Sequence, residues 1–173
     1  MRTSYIQNYV ELMNLRYDFT ITLSVQMPEN LYRQDIPKMS LQPIVENCIY
    51  HGIKKKRGSG HIIIRAFHSE PNLILQVKDD GCGMSRETCE KMLSYEIEQE
   101  NISGSGIGVK NVNERIQLRF GKEYGLHYDS EEGKGTETLT NLWREANLAQ
   151  SYLSMLPIES QELENTEKFC LCP

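Results

Sequence analysis

The chain has no apolar run longer than a few residues, far short of the roughly 20 that carry a helix across a bilayer. Its first ten residues, MRTSYIQNYV, lack the apolar centre of a secretory signal. Cysteine is present but unorganised. Cys48, Cys82, Cys89, Cys170 and Cys172 are an odd number, contain no Cys-x-x-Cys pair and stand at no zinc-like spacing with histidine. Neither a metal cage nor a disulfide framework is expected, which suits a reducing compartment. Positive charge is short as well: 19 Lys and Arg against 24 Asp and Glu leave a net charge of -5. That balance argues against a general electrostatic grip on nucleic acid or anionic lipid. The one basic run, Lys54-Lys55-Lys56-Arg57, reads as a solvated turn, with a docking role as the alternative. No internal repeat is found.

What remains is ordinary globular material. With 173 residues, 39% hydrophobic and 25% charged, the chain can bury one core and carry a tail. Residues 3–17 place Tyr5, Ile6, Tyr9, Leu12, Met13 and Leu15 at mostly helical spacing. Residues 19–25 alternate like a half-buried strand, broken by Pro28. The clearest helix is 41–53, where Leu41, Ile44, Val45, Cys48 and Ile49 form one apolar stripe. Ser40 is placed to cap it, Pro43 is tolerated in its first turn, and Gly52 is expected to end it. Residues 61–67 and 73–78 read as a hairpin, and 126–130 with 136–142 as two more strands. A short helix near 87–93 gives way to a loop ending in Gly104-Ser105-Gly106, and a helix over 107–120 stops at Gly121. Strands and helices mix without strict alternation. The expected class is α+β, a two-layer sandwich whose mostly antiparallel sheet is covered on one face by helices.

Three features carry chemistry. Asn47 and His51 stand one turn apart beside the apolar stripe of the helix 41–53, where a cleft edge is more natural than bulk water. Asp79-Asp80-Gly81-Cys82-Gly83 follows a buried strand; its glycines permit a tight turn and close approach of a ligand, and a carboxylate there can accept from an amino group. Gly104-Ser105-Gly106-Ile107-Gly108 opens a helix, where free amides suit phosphate oxygens. A Rossmann reading fails because no strand precedes those glycines, and a P-loop fails because no Gly-Lys-Ser or Gly-Lys-Thr follows them.

In combination, "LQPIVENCIYHGI", "VKDDGCGM", "GSGIGVKNVNERI" and "EEGKGTE" resemble the nucleotide-binding boxes of the GHKL superfamily (the Bergerat fold), which includes gyrase, Hsp90, MutL and histidine kinases. The "LQPIVEN…HG" form is similar to the LytS/YesM-like subclass of sensor histidine kinases. The likeness covers roughly residues 3–140. It implies ATP and magnesium as cofactors. Asn47 matches the asparagine that holds magnesium on the phosphates, and Glu46 the adjacent acid proposed to help activate the attacking group. Asp79 matches the aspartate that receives the adenine amino group, with Gly81 and Gly83 forming the turn beneath the base. Gly104, Gly106 and Gly108 match lid-end glycines near the phosphates, and Thr136 the threonine that reaches adenine through water. His51 lines the phosphate site or is a structural histidine; both readings stand.

The departures have consequences. Asp80 stands where asparagine is usual, which puts a second carboxylate near the base and is expected to weaken binding if both acids ionise. Cys82 replaces a common proline, so a less rigid turn is expected; at Tyr50 the usual lysine is absent, which argues against a phosphate contact. After Thr136 the family's final strand of alternating apolar residues is not evident, so residues 1–142 are expected to form the ATP-binding catalytic domain and 143–173 an atypical extension, with a short amphipathic helix at its start.

The resemblance further implies transfer of the ATP γ-phosphoryl group to a histidine on a dimerisation domain outside this chain, then to a response regulator. It implies a homodimeric parent anchored in a bacterial membrane, with this part cytoplasmic. The family's acceptor, histidine followed by Phe-Leu-Phe-Asn, does not occur at His51, His61, His68 or His127, so no appreciable self-phosphorylation is expected. The alternative is a nucleotide-binding or interaction module without phosphotransfer.

Overall fold

The computed structural model describes residues 4–33, 41–69, 72–93 and 106–142. The expected cap at Ser40, the lid with Gly104 and the extension from Trp143 lie outside these described residues. The description therefore concerns the unit Met1–Leu142 alone.

Helix α1 (Ser4–Arg16) buries Ile6, Val10 and Met13, a stripe at helical spacing. Its last turn is tied to β1 (Ile21–Gln26) by Asn14, whose carboxamide accepts from the Ile21 N–H at 2.7 Å and donates to the Ile21 carbonyl at 3.0 Å. A 3-10 turn over Glu29–Arg33 follows. Helix α2 (Leu41–Asn47) passes directly into a π-helical turn (Cys48–Ile53) and then a last turn, α3 (Lys54–Lys56). Strands β2 (Gly60–Ser69) and β3 (Asn72–Asp79) come next, then α4 (Arg86–Leu93), α5 (Gly106–Phe120), β4 (Gly125–Glu131) and β5 (Gly135–Leu142).

The five strands form one sheet in the order β1-β2-β3-β5-β4. Only β1 and β2 run parallel, because the helical stretch over 41–56 carries the chain back between them; the other pairs are antiparallel. Alternate residues Ile62, Ile64 and Ala66 of β2 and Leu73, Leu75 and Val77 of β3 are buried against the helices, whereas Arg65, Phe67 and Lys78 face out. Val109, Val112 and Ile116 bring α5 onto the same face. Each such Ile, Leu or Val side chain contributes about 1.5–3 kcal/mol of hydrophobic stabilisation when fully buried, so these rows fix which side of the sheet the helices take. The α+β sandwich read from the sequence is the observed fold.

Two sequence expectations are corrected. Gly52 does not end its helix. The helical stretch continues to Lys56 and is closed by Arg57 in the left-handed region at φ 57, whose N–H donates to the Lys54 carbonyl. Gly52 is buried, and a Cβ there would stand 2.7 Å from Asp79 Oδ1; the glycine serves close packing rather than termination. The final strand does alternate. In β5, Thr138, Thr140 and Leu142 take the inward positions, so two threonines occupy core sites where an apolar pattern was sought.

Candidate nucleotide-binding site

Asp79, the last residue of β3, sits opposite Thr136, near the start of β5. It is only 3% exposed, which is unusual for a carboxylate. Burial raises its pKa; the Gly81 N–H at 2.8 Å, the Cys48 thiol and the Thr136 backbone donate to it and partly offset the rise. Three donors from three segments thus hold one carboxylate in a fixed orientation. Cys48, fully buried with its thiol pushed well up by desolvation, belongs to this cluster; sequence reading placed it only in the apolar stripe, and a thiol beside an amphipathic stripe gives no signal of a partner 31 residues away.

The turn after Asp79 is built by contact. A Cβ on Gly81 would collide with the backbone of Gly52, and one on Gly83 (φ 66) with the Glu131 carbonyl. The helix, the turn and the β4–β5 hairpin therefore meet at distances that only glycine allows. Cys82 straps them together. Its N–H donates to the Gly52 carbonyl at 3.2 Å, its thiol to the His51 carbonyl at 3.0 Å, and its carbonyl accepts from Gly133 N–H at 2.7 Å. At this position, where a less rigid turn is expected, three hydrogen bonds tie Cys82 to its neighbours.

Ser130, missed in the sequence, organises the neighbouring wall. Its hydroxyl accepts from Met84 N–H and donates to the Gly135 carbonyl, each at 2.9 Å. Its single hydrogen being spent there, the 2.9 Å contact with Thr136 is one in which Thr136 donates. The Thr136 oxygen then keeps acceptor capacity.

Asn47 and Glu46 end α2, both half-buried, with Gln42 donating to Glu46 Oε1 at 3.0 Å. His51 lies in the π turn, half-buried, its pKa lowered by burial and then by Lys55, both of which favour the neutral imidazole. Tyr50 stands edge-on to Tyr17 with its hydroxyl 3.8 Å from the Met13 sulfur. Gly106 opens α5, and Gly108 packs on α2, where a Cβ would meet Pro43 at 3.3 Å. Pro43 is four residues, about one turn, before Asn47. The structure thus brings the helix with Asn47, the Asp79 turn, Thr136 and the start of α5 into one neighbourhood.

Asp80 is corrected. Although burial acts to raise its pKa, the His61 N–H and ring and the Lys56 ammonium outweigh that and hold it below the ordinary range. Its oxygens lie 2.8 Å from His61 N, 3.1 Å from His61 Nδ1 and 3.4 Å from Lys56 Nζ. Its oxygens are engaged by β2 and α3, yet its charge still acts on Asp79 and adds to the rise in that carboxyl's pKa; Lys56 of the basic run is a partner to Asp80.

Among the described residues no three His, Cys, Asp or Glu side chains cluster as metal ligands. The Asn47 carboxamide oxygen is a hard oxygen donor of the kind that magnesium accepts alongside ligand oxygens and water.

Comparison with known proteins agrees with this geometry. The family described as histidine kinase-, DNA gyrase B- and HSP90-like ATPase matches residues 37–145. The sensor protein LytS of Bacillus anthracis is 30% identical over 134 residues, 78% of this chain and 22% of that protein. The sensor protein kinase HptS of Staphylococcus aureus (strain USA300) is 31% identical over 133 residues, 77% of this chain and 25% of that protein. The chain therefore spans about a quarter of the length of these relatives. Among solved structures, the nucleotide-free catalytic domain of histidine kinase ThkA superposes with a TM-score of 0.58 at 15% identity, covering 82% of this chain and 87% of that one. At that identity the likeness establishes the fold.

Proposed function

The chain belongs to the family of histidine kinase-, DNA gyrase B- and HSP90-like ATPases, and from that membership we propose that it is the ATP-binding catalytic domain of a sensor histidine kinase. The observation that carries the proposal is the Asp79 carboxylate, buried, preoriented by Gly81, Cys48 and Thr136, and set against a turn that only glycines permit. A buried carboxylate so held is an acceptor awaiting a donor, and the exocyclic amino group of adenine supplies one.

In this reading Asp79 fixes the base, Thr136 accepts from an intervening water, and Gly81 and Gly83 let the ring approach the backbone. Asn47 holds magnesium, which when bound offsets the charge of the phosphates. Gly104, Gly106 and Gly108 lie on the phosphate side, where the first amides of α5 donate to oxygens. Glu46 is placed one residue from Asn47 to assist the attacking imidazole. The γ-phosphorus then gains a bond to that nitrogen as its bond to the ADP oxygen breaks. The protein's contribution is positioning and charge neutralisation. The acceptor histidine, dimerisation domain, response regulator and membrane anchor belong to the larger parent protein in this proposal, and the relatives named as sensor proteins support it.

The test has two stages. Calorimetric titration with a non-hydrolysable ATP analogue is expected to show binding that Asp79→Asn weakens more than about tenfold, near 1.4 kcal/mol. Then γ-labelled ATP and magnesium are added with a separately made histidine-bearing dimerisation domain. Label on that domain, and none on the chain alone, supports the kinase. Binding without transfer returns the reading to a nucleotide-binding module, and unchanged affinity in Asp79→Asn removes the adenine assignment.

A further inference from the structure

Gln42 is a half-buried polar residue that has no part in the proposed function. It stands in the first turn of α2, beside Pro43, and its carboxamide nitrogen lies 3.0 Å from Glu46 Oε1. The direction of this bond is fixed by the partner. An ionised carboxylate has no hydrogen to give, so the nitrogen end of the carboxamide faces it and donates.

Four residues make about one helical turn, so Gln42 and Glu46 form one row along α2, and Pro43 and Asn47 form the row beside it. The second row is the one against which α5 opens, because a Cβ on Gly108 would meet Pro43 at 3.3 Å. The Gln42–Glu46 row therefore flanks the edge of the helix assigned to magnesium and phosphate. A glutamate side chain turns about three bonds, and an acid that must meet an incoming imidazole gains from having that freedom removed beforehand. The hydrogen bond from Gln42 removes part of it, from a turn whose backbone Pro43 stiffens. As a contribution to helix stability a pair at this spacing is small.

We propose that Gln42 is a positioning residue for Glu46: its N–H holds Oε1, fixes the plane of the carboxylate and leaves Oε2 to meet the imidazole of the acceptor histidine. The inference rests on the assignment of Glu46 to the transfer step. In that step the lone pair of one ring nitrogen forms the bond to the γ-phosphorus. The P–O bond breaks with its electron pair passing to ADP, and the hydrogen on the other ring nitrogen is held by Oε2. Gln42 acts on the reaction only through Glu46.

The experiment uses the full chain and the variant Gln42→Met, which removes the donor but keeps an unbranched side chain of similar length and helix propensity. Gln42→Ala, which shortens the side chain instead, serves as a second variant with the same expectation. Transfer of label from γ-labelled ATP with magnesium to the separately made histidine-bearing dimerisation domain is timed at saturating nucleotide. Affinity for the non-hydrolysable analogue and the melting temperature are measured alongside. Both variants are expected to slow transfer roughly threefold to tenfold, with affinity and melting temperature unchanged. Glu46→Gln is expected to slow transfer more, and adding Gln42→Met to it to cost nothing further, because the charge that Gln42 orients is gone. A wild-type or faster rate in the Gln42 variants, equal losses in rate and affinity, or a full additional loss in the double variant each overturn the role of Gln42. Wild-type transfer by Glu46→Gln, or no transfer by the wild-type chain, removes the assignment of Glu46 and this inference with it. Transfer that depends on Glu46 but ignores Gln42 sinks only the latter.

Discussion

At Asp79 stability and binding pull in opposite directions with pH. Its pKa is raised in the folded protein, by burial first, so its ionised form is disfavoured by folding. The stability it contributes is present below the ordinary carboxylate value of 3.8 and is lost as pH rises through the raised one. Nucleotide binding needs the ionised acceptor and must gain over that same window. Asp80 and Glu137, held below their ordinary range by donors that outweigh burial, lose their contribution as pH falls through their folded values, so the Asp79 share is read as a difference. We expect Asp79→Asn, compared with wild type across this window in parallel denaturation and titration series, to flatten the rise in affinity with pH and remove a fall in stability. A rise in affinity that survives the substitution would assign the titration elsewhere. Asp80→Asn is expected to leave affinity within about twofold, because the exposed pairs with Lys56 and His61 that it breaks are weak surface interactions. A large gain in affinity would restore the carboxylate to the base pocket.

At the scale of elements, the helical stretch over 41–56 shows what sequence could and could not tell. Its stripe of Leu41, Ile44, Val45, Cys48 and Ile49 is legible because burial obeys helical periodicity. Its end is not. Gly52 satisfies the local rule for termination, but the rule is overridden by contact with Asp79 and Gly81, which lie far along the chain. The stop falls instead on Arg57, a residue with no preference for φ 57. Arg57→Gly is therefore expected to raise stability by about 0.5–1 kcal/mol in urea denaturation, while a loss would show that the arginine side chain contributes more than its backbone costs. Gly81→Ala should do the reverse. Its methyl group meets the Gly52 backbone on the facing helix as well as the Asp79 carboxylate, so a loss of about 1–3 kcal/mol is expected, with nucleotide affinity falling too. The β5 strand was half legible for a related reason: Thr138 and Thr140 are polar by composition and core by position, and only the register against β3 and β4 decides which counts.

The whole molecule assembles its site from separated stretches, and the boxes were readable while their mutual geometry was not. Asn47 comes from a crossover between parallel strands, Asp79 from a hairpin end, Thr136 from the strand that pairs with it, and Gly106 from the opening of α5. No fragment holding two of these without the sheet between them would place them together, so ligand binding should couple to unfolding of the sheet as one unit. At about 100 times its dissociation constant a ligand that binds only the folded state adds about 2.7 kcal/mol of stability. The described core residues run from Ile6 to Leu142, and every assigned site residue falls between Glu46 and Thr136. A chain ending at residue 142 should accordingly unfold in one transition, bind the magnesium-bound ATP analogue with the affinity of the full chain, and gain the same stability from it at equal saturation. Matched calorimetry and thermal unfolding of the two lengths decide this. A shorter chain that folds yet binds markedly more weakly would mean that residues 143–173 contribute to the site, and the nucleotide domain would then have to be drawn to include them.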